Sequence, residues 1–147
     1  MFVEGTILFF DPFYFKNGNA SKAKYFIVLK IIEDKIILAS LPSSQDFVPN
    51  YVDKTTAECI EIPEANFNCY LFAAGKVIAS NGWAFPKNTF VYGQQIDVYE
   101  TETLEEIYPI EGVDYEIKGE ITKAVFDAMM LCFKNSASVK RKFKKLL

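Results

Sequence analysis

Histidine is absent from this 147-residue chain, arginine occurs once, as Arg141, and tryptophan once, as Trp83. Without His, neither a Ser-His-Asp nor a Cys-His catalyst can be assembled from this chain alone. Any acid or base must be a carboxylate, Lys, Tyr, Cys or an activated hydroxyl. The same absence argues against a zinc site, since the three cysteines (Cys59, Cys69, Cys132) never fall in Cys-x-x-Cys spacing. No metal and no other cofactor is predicted. An odd cysteine count also speaks against a disulfide framework, so all three are expected as buried, reduced thiols. Long hydrophobic runs are missing too. The longest, such as residues 25–29, fall far short of the ~20 residues that span a bilayer. The N-terminus carries no positive region and soon meets Asp11, unlike a signal peptide. No membrane association is predicted, and the cytoplasm is the expected location.

Apolar side chains, by contrast, are abundant: half the residues are hydrophobic and 16% aromatic, enough to exclude global disorder and to build one core. A single domain over 1–147 is expected, with a β-rich core over 1–100 and an acidic segment plus helices over 101–147. Strands are predicted over 5–12, 25–32 and 35–41, where Ile, Val, Phe and Tyr cluster, with a lysine-bearing loop ending at Lys24 and a turn at Glu33 and Asp34. Further strands are predicted over 57–62, 89–92, 96–99 and 113–117, and a hairpin or bent strand over 70–79 around Gly75 and Lys76. Thr103 and Glu106 fit a capping box for a short helix ending before Pro109. Ile121, Val125, Ala128, Met129, Cys132 and Phe133 fall on one helical stripe with Ala124. Ser138 is expected to cap a final helix. Many short strands followed by helices suggest a compact β-barrel with helical additions.

Charge is unevenly spread within a net charge of −3. Nine acids (Asp97, Glu100, Glu102, Glu105, Glu106, Glu111, Asp114, Glu116, Glu120) face one base, Lys118, over residues 97–120. Five bases (Lys140, Arg141, Lys142, Lys144, Lys145) crowd residues 140–145. The acidic balance argues against indiscriminate coating of nucleic acid, while leaving room for a local positive groove.

The order of residues from Gly5 to Gln45 resembles the PemK/MazF family of toxin endoribonucleases, whose SH3-like barrel is shared with the gyrase poison CcdB. Gly5, Ile7 and the Asp11-Pro12 pair match the family's opening Gly-x-Ile motif and Asp. Lys22, Lys24 and the run 26–29 stand where the family has a basic loop and a hydrophobic strand; Pro42, Ser43, Ser44 and Gln45 stand at its later Pro and Ser/Thr pair. The resemblance spans roughly the first 50 residues. It implies an SH3-like barrel, a homodimer, metal-independent cleavage of RNA through the 2′-hydroxyl, and RNA or a small antitoxin-like protein as partner. It also implies catalytic roles for Lys24 and for Ser43 or Ser44, with Lys22, Gln45 and Lys16 as RNA contacts; Asp11 joins the catalytic candidates as the carboxylate base available in a chain without His. Where the family places Arg this chain has Lys24, or Lys22 with a shift, and Lys supplies charge without the planar two-pronged donor.

Each of these residues also has a plainer reading. Lys22 and Lys24 read equally as solvated charges leading into a strand, Ser43 and Ser44 as turn residues, and Asp11 with Pro12 as a turn. Trp83 is expected at the core edge, the acidic run as a solvated face, and the basic tail as an exposed helix face. The alternative function is a non-catalytic barrel that binds a protein or nucleic-acid partner.

Overall fold

Short β-branched and aromatic runs, broken by turn residues, become the eight strands found among the described residues. The computed structural model describes residues 2–16, 18, 21–41 and 58–147. Strands β1 (Thr6–Phe13), β2 (Lys22–Ile32), β3 (Lys35–Leu41), β7 (Ile96–Glu100) and β8 (Tyr115–Glu120) form one antiparallel sheet in the order β7-β3-β2-β1-β8. Strands β4 (Cys59–Ile62), β5 (Phe67–Phe72) and β6 (Thr89–Tyr92) form a second, three-stranded sheet in sequence order. Neither sheet closes among the described residues. The coarse expectation of a mainly β, antiparallel chain with C-terminal helices is met. The larger sheet nevertheless reaches beyond residue 100 to recruit β8, which pairs with β1.

Both faces of the large sheet are covered, because β2 is apolar on both sides. Ile27 and Leu29 join Tyr70, Phe72 and Val91 of the small sheet, together with Met129 and Phe133 of α2 (Lys123–Lys134). Phe26 and Val28 point into an aromatic cluster with Phe10, Phe13 and Tyr115, covered by Leu104 of α1 (Thr101–Ile107) and by Tyr108. Within the strands predicted over 5–12, 25–32 and 35–41, Ile7, Phe26, Val28, Ile37 and Leu38 are buried. Phe9 is half-buried, its ring centroid 4.7 Å from that of Tyr25.

Local chemistry overrides several expectations. α1 begins at Thr101 with Glu100 at its N-cap and no side-chain cap, so Thr103 and Glu106 form no capping box. Ser138 does not cap α3 (Arg141–Lys144), whose N-cap is Lys140. Residues 77–79 do not fold back on β5; Ala79 instead bridges Ile121, leaving β5 between β4 and β6. The α2 stripe is buried at Met129, Cys132 and Phe133, while Ala124 and Ala128 are exposed.

The reduced-thiol expectation is corrected. Cys59 and Cys132 form a disulfide with Cα atoms 5.7 Å apart, tying β4 to α2 across 73 residues, while Cys69 is buried outside the bridge. Sequence spacing hides this pairing, because only the packing of α2 on the small sheet brings the two together. Closing a loop of that length is worth about 4 kcal/mol in the chain-entropy account. Reduction, or Cys132→Ser, is therefore expected to lower the melting temperature by many degrees. Three titratable thiols in denatured, unreduced protein would reinstate the reduced reading.

Candidate functional site

The start of β2 carries the least expected side chain of the fold. Lys24 sits inside a strand rather than in the loop expected for it, opposite Phe10 and in register with the aromatic face. Only 6% of it is exposed. Its ammonium lies 5.6 Å from the Phe15 ring centroid, and no carboxylate among the described residues pairs with it. Burial lowers its pKa below the ordinary lysine value, and the charge of Lys22 lowers it further.

Lys24 borders a cleft of about 380 Å³ shared with Lys16, Lys140 and Lys142. The one carboxylate in the lining among the described residues, Asp97, is already engaged: the Lys16 ammonium donates to Asp97 Oδ2 at 3.3 Å and to the Val98 carbonyl at 2.5 Å. Lys16 also lies 3.9 Å over the Tyr99 ring. The Tyr99 phenol is pushed up to about 12, by burial first and then by the Asp97 carboxylate and Tyr108, so it stays protonated at neutral pH. Among the described residues four lysines against one carboxylate give the cleft a positive balance. Ser40 and Gln95, bonded to each other at 3.1 Å, supply further polar groups at its wall.

A chain of close contacts delivers the C-terminal lysines. The Glu61 carboxylate accepts from Asn68 Nδ2, Ser136 Oγ and the Ala137 amide at 3.2, 2.7 and 2.7 Å, fixing the turn after α2. Val139 then packs on Gly93, where an added Cβ would sit 2.6 Å from Val139 Cγ2 and 2.8 Å from Asn68 Oδ1. Only glycine allows that approach. Phe143 enters the core beyond it, and Lys140 and Lys142 reach the cleft.

The structure thus brings Lys16 and Lys24 together. Lys22, expected beside them, stands exposed at the first position of β2 with its ammonium 5.9 Å from the Phe15 ring. Asp11 is exposed and does not line the cleft; with the cis-linked Pro12 it lies where the β1–β2 register shifts, between Phe10 and Phe13. Ser43, Ser44 and Gln45 lie outside the described residues. Lys140 and Lys142, read from sequence as part of an exposed basic face, are exposed and also border the cleft, a position that depends on Gly93. Trp83 packs at the core edge as expected, 4.7 Å from Phe85 between ring centroids. The acids of residues 97–120 are mostly exposed, also as expected. Among the described residues no cluster of three or more potential metal ligands occurs. No protein-family model matches the chain, and no curated protein matches it.

The buried cation makes stability depend on pH. Because the folded-state pKa of Lys24 lies below the unfolded 10.5, the unfolded chain binds more protons between those two values, and stability from this group rises with pH across that window. Lys24→Met should remove that rise and leave neutral-pH stability equal or higher, since an apolar side chain replaces a buried charge. Urea unfolding from pH 7 to 10.5 measures both; an unchanged pH slope in the variant would show that Lys24 is not the group responsible.

Proposed function

We propose that the lysine cleft grips the phosphate backbone of RNA, and that the chain is a toxin-like, metal-independent endoribonuclease built on an SH3-like barrel. Lys24 carries this reading. An ammonium buried with no carboxylate partner among the described residues costs stability, and it lies where three more lysines converge, an arrangement suited to an anionic ligand. In the reaction the ribose 2′-oxygen attacks phosphorus, the bond to the 5′-oxygen breaks, and the products are a 2′,3′-cyclic phosphate and a 5′-hydroxyl. Lys24 stabilises charge on a non-bridging oxygen. Losing one such donor typically costs about 2.7–4 kcal/mol in the transition state. Ser43 and Ser44 are the proposed hydroxyl donors, from the resemblance alone.

A second reading has its own support. Asp11 lies outside the cleft and Asp97 is bonded to Lys16, so among the described residues no unengaged carboxylate lines the cleft to take the 2′-proton. That favours an RNA-binding module without catalysis. Homodimerisation and an antitoxin-like partner follow from the family resemblance and are carried as part of the first reading. So is a cytoplasmic location, with which the Cys59–Cys132 bridge fits least well, because cytosolic thiols are kept reduced.

Purified protein incubated with mixed-sequence single-stranded RNA in chelator separates the readings. Cleavage that leaves cyclic phosphate and is lost in Lys24→Ala supports the enzyme; binding without cleavage supports the module. In either case Lys24→Ala, Lys140→Ala and Lys142→Ala should each flatten the dependence of log K on log salt by ~0.7. Lys16→Ala should do less, because Lys16 is already paired. Salt slopes unchanged in all four variants would remove the cleft from both readings. A mass in solution equal to one chain at micromolar concentration would remove the homodimer.

A further inference from the structure

The cationic cleft adjoins a second cavity of different chemistry. A groove of about 470 Å³ opens between the end of β1 and α1, and Phe15, Lys16 and Tyr99 belong to the walls of both. Its size falls within the range of small-ligand sites. Its floor is a stack of rings: Phe13 and Tyr108 lie parallel within 11° at 5.5 Å, and Tyr14 continues the stack on Tyr108 at 19° and 6.3 Å. The Tyr14 backbone amide donates to the Tyr108 hydroxyl at 2.8 Å, which holds the two residues in register. Tyr14 is nevertheless 59% exposed, so the end of the stack is open to solvent.

We infer that this aromatic groove is a nucleobase subsite, receiving the base of a nucleotide whose phosphate lies in the adjoining lysine cleft. The inference rests on the RNA reading given above and adds the second half of the ligand to it. Single-stranded nucleic acid is bound by this combination, a positive track for the backbone and aromatic faces on which bases stack. The ammonium of Lys16, held between the two cavities over Tyr99, marks the point where backbone passes into base. A purely anionic ligand such as inorganic phosphate would use the cleft and leave the groove empty.

The experiment compares two labelled hexamers of equal charge by fluorescence anisotropy with the full chain. One is a 2′-fluoro RNA, which lacks the nucleophile and is not cleaved; the other carries abasic sugars in place of its nucleotides. The base-bearing hexamer should bind roughly 5- to 150-fold more tightly, the span expected for stacking of one base. Tyr14→Ala should lose a similar factor on that hexamer and almost nothing on the abasic one, while Tyr14→Phe should recover the affinity. Salt slopes should stay equal throughout, because no charge changes. If Tyr14→Ala melts markedly lower than the parent, Ile107→Ala, at a residue 46% exposed on the same groove, takes its place with the same expected pattern. Equal binding of the two hexamers, with the lysine-dependent slope intact, overturns the base subsite and leaves the RNA reading standing. Absence of binding to either hexamer overturns both.

Discussion

The pairing of β2 with β1 along one edge and β3 along the other constrains nearly everything else in the chain. A strand apolar on both faces cannot sit on the outside of a sheet whose other face is wet, so two separate sets of elements must cover it. On one side the small sheet and α2 do so; on the other, α1 and the aromatic side chains of β1 and β8. The site inherits this geometry. Lys24 is buried because it continues the inward alternation set by Phe26 and Val28, paired with Phe10 of β1.

That origin explains how much could be read in advance. The β2–β3 hairpin, the α2 stripe and most of the buried residues are local patterns, set by periods of two and 3.6 residues. Lys16, Lys22 and Lys24 were legible as candidate cations because they flank such a strand. What escaped depends on contacts far apart in sequence. Whether Lys24 is solvated or buried depends on the covering face, the Cys59–Cys132 bridge depends on α2 docking, and Lys140 and Lys142 reach the cleft only because Gly93 admits Val139. Thr103 and Ser138 show the converse: a good local capping signal loses when strand β7 and the turn at Glu61 decide where a helix begins.

The cleft also shows how one small fold accommodates a side chain that does not favour folding. A buried ammonium is tolerable where the rest of the structure supplies a surplus, and the two hydrophobic clusters flanking β2 are the largest among the described residues. Among the described residues Lys16 is tied to Asp97 while Lys24 has no carboxylate partner, so one lysine is a fixed part of the wall and the other is not neutralised there.

The disulfide has a consequence for the fate of a cut chain. Its two ends lie in β4 and α2, and the exposed turn over residues 73–77 lies between them. A protease that nicks that turn would yield two fragments that remain one covalent molecule until reductant is added. The helix and the C-terminal lysines would stay anchored to the small sheet after such a nick, so the cleft could outlast the continuity of the backbone that built it.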